Sequence, residues 1–154
     1  MSIDLRIVIH PRKIVGDNIH LSCTLEVIDG VRHEFWFQVP CEWESAISPA
    51  DDAYVLISLF TAMQYGGHLR IEGEVSSLLL KNLSEVVIAW HRWVPRRYKT
   101  VTFEAATFSQ RTPAQQKSVL MPFSGGLDSC HSLWRHIQSQ TTGNRPEILA
   151  MMVH

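Results

Sequence analysis

An apolar run, SVLMPF at 118–123, breaks at Ser124, Gly125 and Gly126, and a helix-compatible stretch, DSCHSLWRHIQ at 128–138, follows. No other feature restricts the fold of this chain as strongly. The run is short, bounded by turn residues and suited to burial, which predicts a strand. Cys130, Leu133, Trp134 and Ile137 recur at helical spacing, which predicts a helix starting at Asp128 or Ser129 with that stripe facing a core. Gly143 ends the helix and Pro146 leads into a second apolar run, EILAMMV at 147–153, so that strand, helix and strand make one parallel βαβ crossover. Two consecutive glycines remove side chains where a backbone must come close to a ligand. The amides of the helix's first turn, the positive end of its dipole and the hydroxyls of Ser124 and Ser129 together suit an anion such as phosphate. Asp128 beside a phosphate calls for a cation between them, and a divalent metal bridging carboxylate and phosphate completes the chemistry. The same residues also suit an ordinary glycine turn with a capping Ser or Asp. The turn lacks the lysine of G-x-x-x-x-G-K-[ST] and the spacing of G-x-G-x-x-G, which excludes a Walker A loop and a dinucleotide fingerprint.

The residues before it follow a different grammar. Residues 3–9 alternate loosely, and residues 20–28 place Leu21, Cys23, Leu25 and Val27 on one face and His20, Ser22, Thr24 and Glu26 on the other. Asp29 and Gly30 make a tight-turn pair, and VRHEFWFQV at 31–39 resumes the alternation, which predicts an antiparallel hairpin. A helix is predicted over 48–67, with Ser48 as cap, Pro49 in the first turn, Asp51 and Asp52 at the positive end of the dipole and Gly66 at its close. Its apolar content, including Ile57 and Phe60, predicts burial. A strand over 68–75, a helix over 76–93 ended by Pro95, and a strand over 98–105 follow, and the polar, aperiodic stretch TFSQRTPAQQK at 107–117 marks a linker, placed at 106–116. The expectation is an α+β domain at 1–105, a linker at 106–116, and one βαβ unit at 117–154 that begins a doubly wound α/β domain and stops short of completing it.

Composition excludes several classes. With 45% hydrophobic and 19% charged residues the chain is globular rather than disordered. No apolar stretch approaches the length of a membrane span and the start carries no signal-peptide pattern, so a cytoplasmic protein is expected, with no membrane partner. A net charge of −1 argues against a nucleic-acid partner. Cys23, Cys41 and Cys130 are widely spaced and suit core thiols better than a disulfide or zinc framework. His10, His20, His33, His68 and His91 lie on different predicted elements without ligand spacing. The basic and aromatic HRWVPRRYK, 91–99, fits a solvated helix end, where Arg92, Arg96 and Arg97 meet the negative pole.

Residues 124–129, SGGLDS, resemble the PP-loop of the ATP pyrophosphatase superfamily, and FSGGLDSCHSLW is similar to its 7-cyano-7-deazaguanine synthase group, here behind an added N-terminal domain. The resemblance covers residues 117–154. It implies a loop that holds the pyrophosphate of ATP while AMP passes to an acceptor oxygen on a small-molecule substrate. ATP and magnesium are the implied cofactors. Ser124, Gly125, Gly126 and Ser129 would then bind phosphate, Leu127 would fill the variable position of the ATP-binding loop, and Asp128 would be the catalytic residue, acting through magnesium. His154 would border the adenine and ribose pocket. Such a domain carries about five parallel strands, whereas this chain supplies two, so the isolated chain is expected to be inactive. A second copy or a protein partner could complete the sheet. The alternatives are a non-catalytic nucleotide-binding or partner-binding module and a tRNA-modifying enzyme of the thiolation type.

Overall fold

Strict alternation makes one face of a sheet apolar and the other polar, and the first half of the chain folds accordingly. The computed structural model describes residues 4–27, 30–109, 118–138 and 147–152, and the chain divides into two units, Met1–Gln110 and Arg111–His154.

In the first unit, β1 (Asp4–Ile9), β2 (Lys13–Val15), β3 (Asn18–Val27), β4 (Arg32–Pro40), β5 (Gly67–Ser76) and β6 (Val101–Ser109) form one mixed sheet. β4 pairs antiparallel with β3 from Asn18 to Glu26, and β1 and β2 occupy successive stretches of β3's other edge. β5 adds parallel to β1, and β6 parallel to β5. The register sets Leu5, Ile7, Leu21, Cys23, Leu25, Leu69 and Ile71 on one face, all at most 2% exposed. Each such aliphatic side chain contributes roughly 1.5–3 kcal/mol through burial. Gly30 takes a φ of 81° and its N–H donates to the Val27 carbonyl, as the hairpin requires. Ile3, Ile28 and Asp29 lie outside the described residues.

Two helices cover the apolar face. α1 (Asp52–Tyr65) buries Tyr54, Val55, Ser58, Leu59, Ala62 and Met63, while Leu56, Ile57 and Phe60 remain exposed. The expectation that this helix is buried through Ile57 and Phe60 is therefore corrected: it lies on one side of a single sheet, and no second layer covers its outer flank among the described residues. Its start is also later than read. Ser48 accepts from the Ala50 N–H in a turn before the helix, Pro49 precedes the first turn, and Asp51 stands at the N-cap. Gly66 closes the helix at a φ of 75°. A 3₁₀ helix, Cys41–Ala46, links β4 to this region.

α2 (Ser77–Trp93) crosses from β5 to β6; Ser76 caps it by accepting from the Leu79 N–H, and Leu80, Leu83 and Val87 face the core. The strand read at 98–105 begins only at Val101, because Lys99 N–H donates to the Met63 carbonyl and Thr100 O accepts from Gly67. It also runs through Ala106 to Ser109, which corrects the start of the segment read as linker; residues 110–117 lie outside the described residues.

In the second unit, β7 (Ser118–Pro122) pairs parallel with β8 (Glu147–Met151), and α3 (Leu127–Gln138) lies between them in sequence. Met121 is buried, but Leu120, Trp134, Ile137, Leu149 and Met151 are 43–62% exposed, and Cys130 is exposed too. The helical stripe expected to face a core is thus left open, since a two-stranded sheet offers one helix too narrow a surface to cover it. Gly143, Pro146, Val153 and His154 lie outside the described residues.

Candidate functional site

The loop at the end of β7 follows from its residues. Pro122 has no N–H to extend the ladder, and the last bond of the strand pair runs from Phe123 N–H to Met151 O at 2.8 Å. Gly125 then turns the chain at a φ of 75°, and a Cβ placed there would meet nothing within 4 Å, so the loop is open on that side. α3 starts at Leu127, earlier than the expected Asp128 or Ser129, because Gly126 O already accepts the first helical bond, from Cys130 N–H at 3.0 Å.

Three of the expected residues converge. Ser129 Oγ donates to Gly126 O at 2.9 Å, Ser124 Oγ donates to Ser129 Oγ at 3.3 Å, and Gly126 N–H donates to Ser124 Oγ at 3.4 Å. The hydroxyls of Ser124 and Ser129 are thereby gathered at the mouth of the helix, where the amides of Leu127, Asp128 and Ser129 have no partner within the helix. A Cβ on Gly126 would lie 3.4 Å from Ser124 Oγ, in contact with that cluster. Leu127 is 86% exposed. Asp128 is exposed at the same helix end. Among the described residues no group of three His, Cys, Asp or Glu side chains is arranged to hold a metal, and Asp128 is the one carboxylate within the loop from Ser124 to Ser129.

The histidines of the first unit are held locally. His10 pairs with Thr24 Oγ1 at 2.7 Å, His33 with the Tyr65 hydroxyl at 2.6 Å, and His91 Nδ1 with Tyr98 O at 2.7 Å. His68 bridges Thr102 and Glu104, and His20 stacks on Trp36. In the basic segment, Arg97 lies over the Tyr98 ring, and Trp90, Trp93, Tyr98 and Phe60 form an aromatic cluster. On the polar face of the sheet Arg6 joins Glu26 and Glu72, and its hydrogen bond holds the Glu26 carboxyl below the usual carboxylate range.

Reading the residues one by one missed a cavity of about 610 Å³ at the start of α1. Leu21, Phe37, Val39, Trp43 and Tyr54 give it apolar walls, and His10, Arg12, Asp51 and Asp52 line its polar side. Asp51 and Asp52 do more than complement the helix dipole. Asp51 Oδ2 accepts from Glu74 N–H and Asp52 Oδ1 from Ser76 N–H, both at 2.8 Å, which fastens the helix start to the end of β5. Burial raises the Asp51 carboxyl above its ordinary value. The adjacent acidic pair was the signal in the sequence; its partners on β5 were not visible there.

No helix among the described residues is long and apolar enough to cross a membrane. No protein-family model matches the chain, and no curated protein and no solved structure is significantly similar to it.

Proposed function

We propose that the second unit is the phosphate-binding start of an ATP pyrophosphatase domain of the PP-loop kind, and that the protein takes part in AMP-forming activation of a small-molecule oxygen acceptor. The observation that carries this reading is the convergence of Ser124, Gly126 and Ser129 at an open helix mouth directly after a parallel strand. The donor set fits the group. Hydroxyls and unpaired first-turn amides donate to phosphate oxygens, and the glycines leave room for them. Magnesium, when bound, offsets the charge of the pyrophosphate. Asp128 provides an anionic oxygen to orient that cation at the edge of the loop. Ser124 and Ser129, which now bond each other and Gly126 O, exchange these weak contacts for phosphate oxygens. The exposed apolar side chains of β7, β8 and α3 require further elements to cover them, from whichever chain supplies them.

The test is the magnesium dependence of pyrophosphate binding. The wild-type chain should bind pyrophosphate more tightly as magnesium is added, and Asp128→Asn should remove that gain while keeping binding in its absence. An unchanged magnesium effect in the variant makes Asp128 a helix-end residue only. A second reading, a partner-binding role for the first unit, is favoured by the exposure of Ile57, Phe60, Trp93 and Val94.

A further inference from the structure

The cavity at the start of α1 carries three fixed charges on one apolar chamber, and their arrangement selects a ligand. Arg12 Nη2 donates to the Ser48 carbonyl at 3.3 Å, and no carboxylate among the described residues lies within ion-pair distance of it. Most of its guanidinium donors therefore remain for a ligand, in the fork that suits a carboxylate. Asp51 and Asp52 each spend one oxygen on a β5 amide and keep the other. Arg12 is close enough to Asp51 for the two charges to interact. A purely anionic ligand would face two carboxylates, and a purely cationic one would face Arg12. A molecule carrying both charges on neighbouring atoms, with an apolar body, meets all of them.

We propose that this cavity binds a free α-amino acid with a large apolar side chain, its carboxylate on Arg12, its ammonium group on Asp51 and Asp52, and its side chain between Phe37, Trp43 and Tyr54. A volume of about 610 Å³ holds an aromatic amino acid with room at the mouth, within the about 300–1,000 Å³ usual for small-molecule sites. The aromatic walls add ring–ring contact to apolar burial. His10 is held by Thr24 Oγ1 at 2.7 Å and shapes the polar side.

Calorimetric titration of the whole chain with L-tryptophan, tryptamine and indole-3-propionate tests the proposal. L-Tryptophan should bind at least tenfold more tightly than either analogue, since each lacks one of its two charges. Arg12→Gln should abolish the preference over tryptamine. The double change Asp51→Asn, Asp52→Asn, which keeps acceptors for the Glu74 and Ser76 N–H groups, should abolish the preference over indole-3-propionate. Ala46→Trp, on the exposed wall, should block all three ligands in a chain whose circular dichroism is unchanged. Equal binding of the three ligands, no binding to folded wild type, or preferences that survive both charge changes would overturn the proposal.

Discussion

At Gly73 the register of β5 shifts against β6, and the residue is surrounded on the side where other amino acids carry a Cβ. A Cβ there would run into Ile9 Cδ1 and lie 2.6 Å from Asp51 Oδ2. The carboxylate would have to leave the Glu74 amide, undoing the latch at the start of α1. Gly73→Ala should therefore lower stability by about 1–3 kcal/mol in urea denaturation. Cys23 makes a prediction of a different kind. It is fully buried, and burial pushes its thiol from 9.0 up to about 11. Between these values the unfolded chain releases the proton and the folded chain keeps it, so the folded state binds more protons and stability falls as pH rises through that window. The loss approaches about 2 kcal/mol at its upper end. Denaturation at pH 8 and near pH 11 should show this loss in wild type and a smaller one in Cys23→Ala. Sequence reading identified Cys23 as a core thiol because strand alternation is local. It could not see the Asp51 latch, whose partner amide sits on another element.

Elements were legible where the pattern was periodic and the caps were chemical. The β3–β4 hairpin followed from alternation around Asp29–Gly30, and α1's end from Gly66, whose positive φ suits glycine. β2 escaped because Lys13, Ile14 and Val15 are all exposed and carry no alternating burial to read. The ends of β6 were misplaced because its register is set by β5 and by the bonds of Lys99 and Thr100. α2 rests on its cap: Ser76 Oγ accepts from Leu79 N–H at 3.0 Å. Ser76→Ala should cost about 1 kcal/mol, measured by denaturation, and Ser76→Asp should recover most of it. A substitution without effect would mean that packing of Leu80, Leu83 and Val87 alone fixes where α2 begins.

For the whole molecule, the division into two units was suggested by the change of grammar between alternating strands and the strand–glycine–helix run. The first unit closes its own core: Leu69, Ile71, Val75 and Met63 are completely buried. The second keeps an open loop and exposed apolar faces, and its motif was readable because glycines, hydroxyls and a carboxylate fall within six consecutive residues. The cavity of the first unit was not readable, since its walls come from strands and helices far apart in sequence. The central claim, that the loop from Ser124 to Ser129 receives phosphate, is tested most directly by following backbone amide resonances during titration of the chain with magnesium pyrophosphate. Saturable shifts are expected at Gly125 to Cys130, and none in Gly126→Val, whose branched side chain would stand beside Ser124 Oγ where the phosphate must approach. Amides of that loop that do not move in wild type, or move equally in the variant, would contradict it.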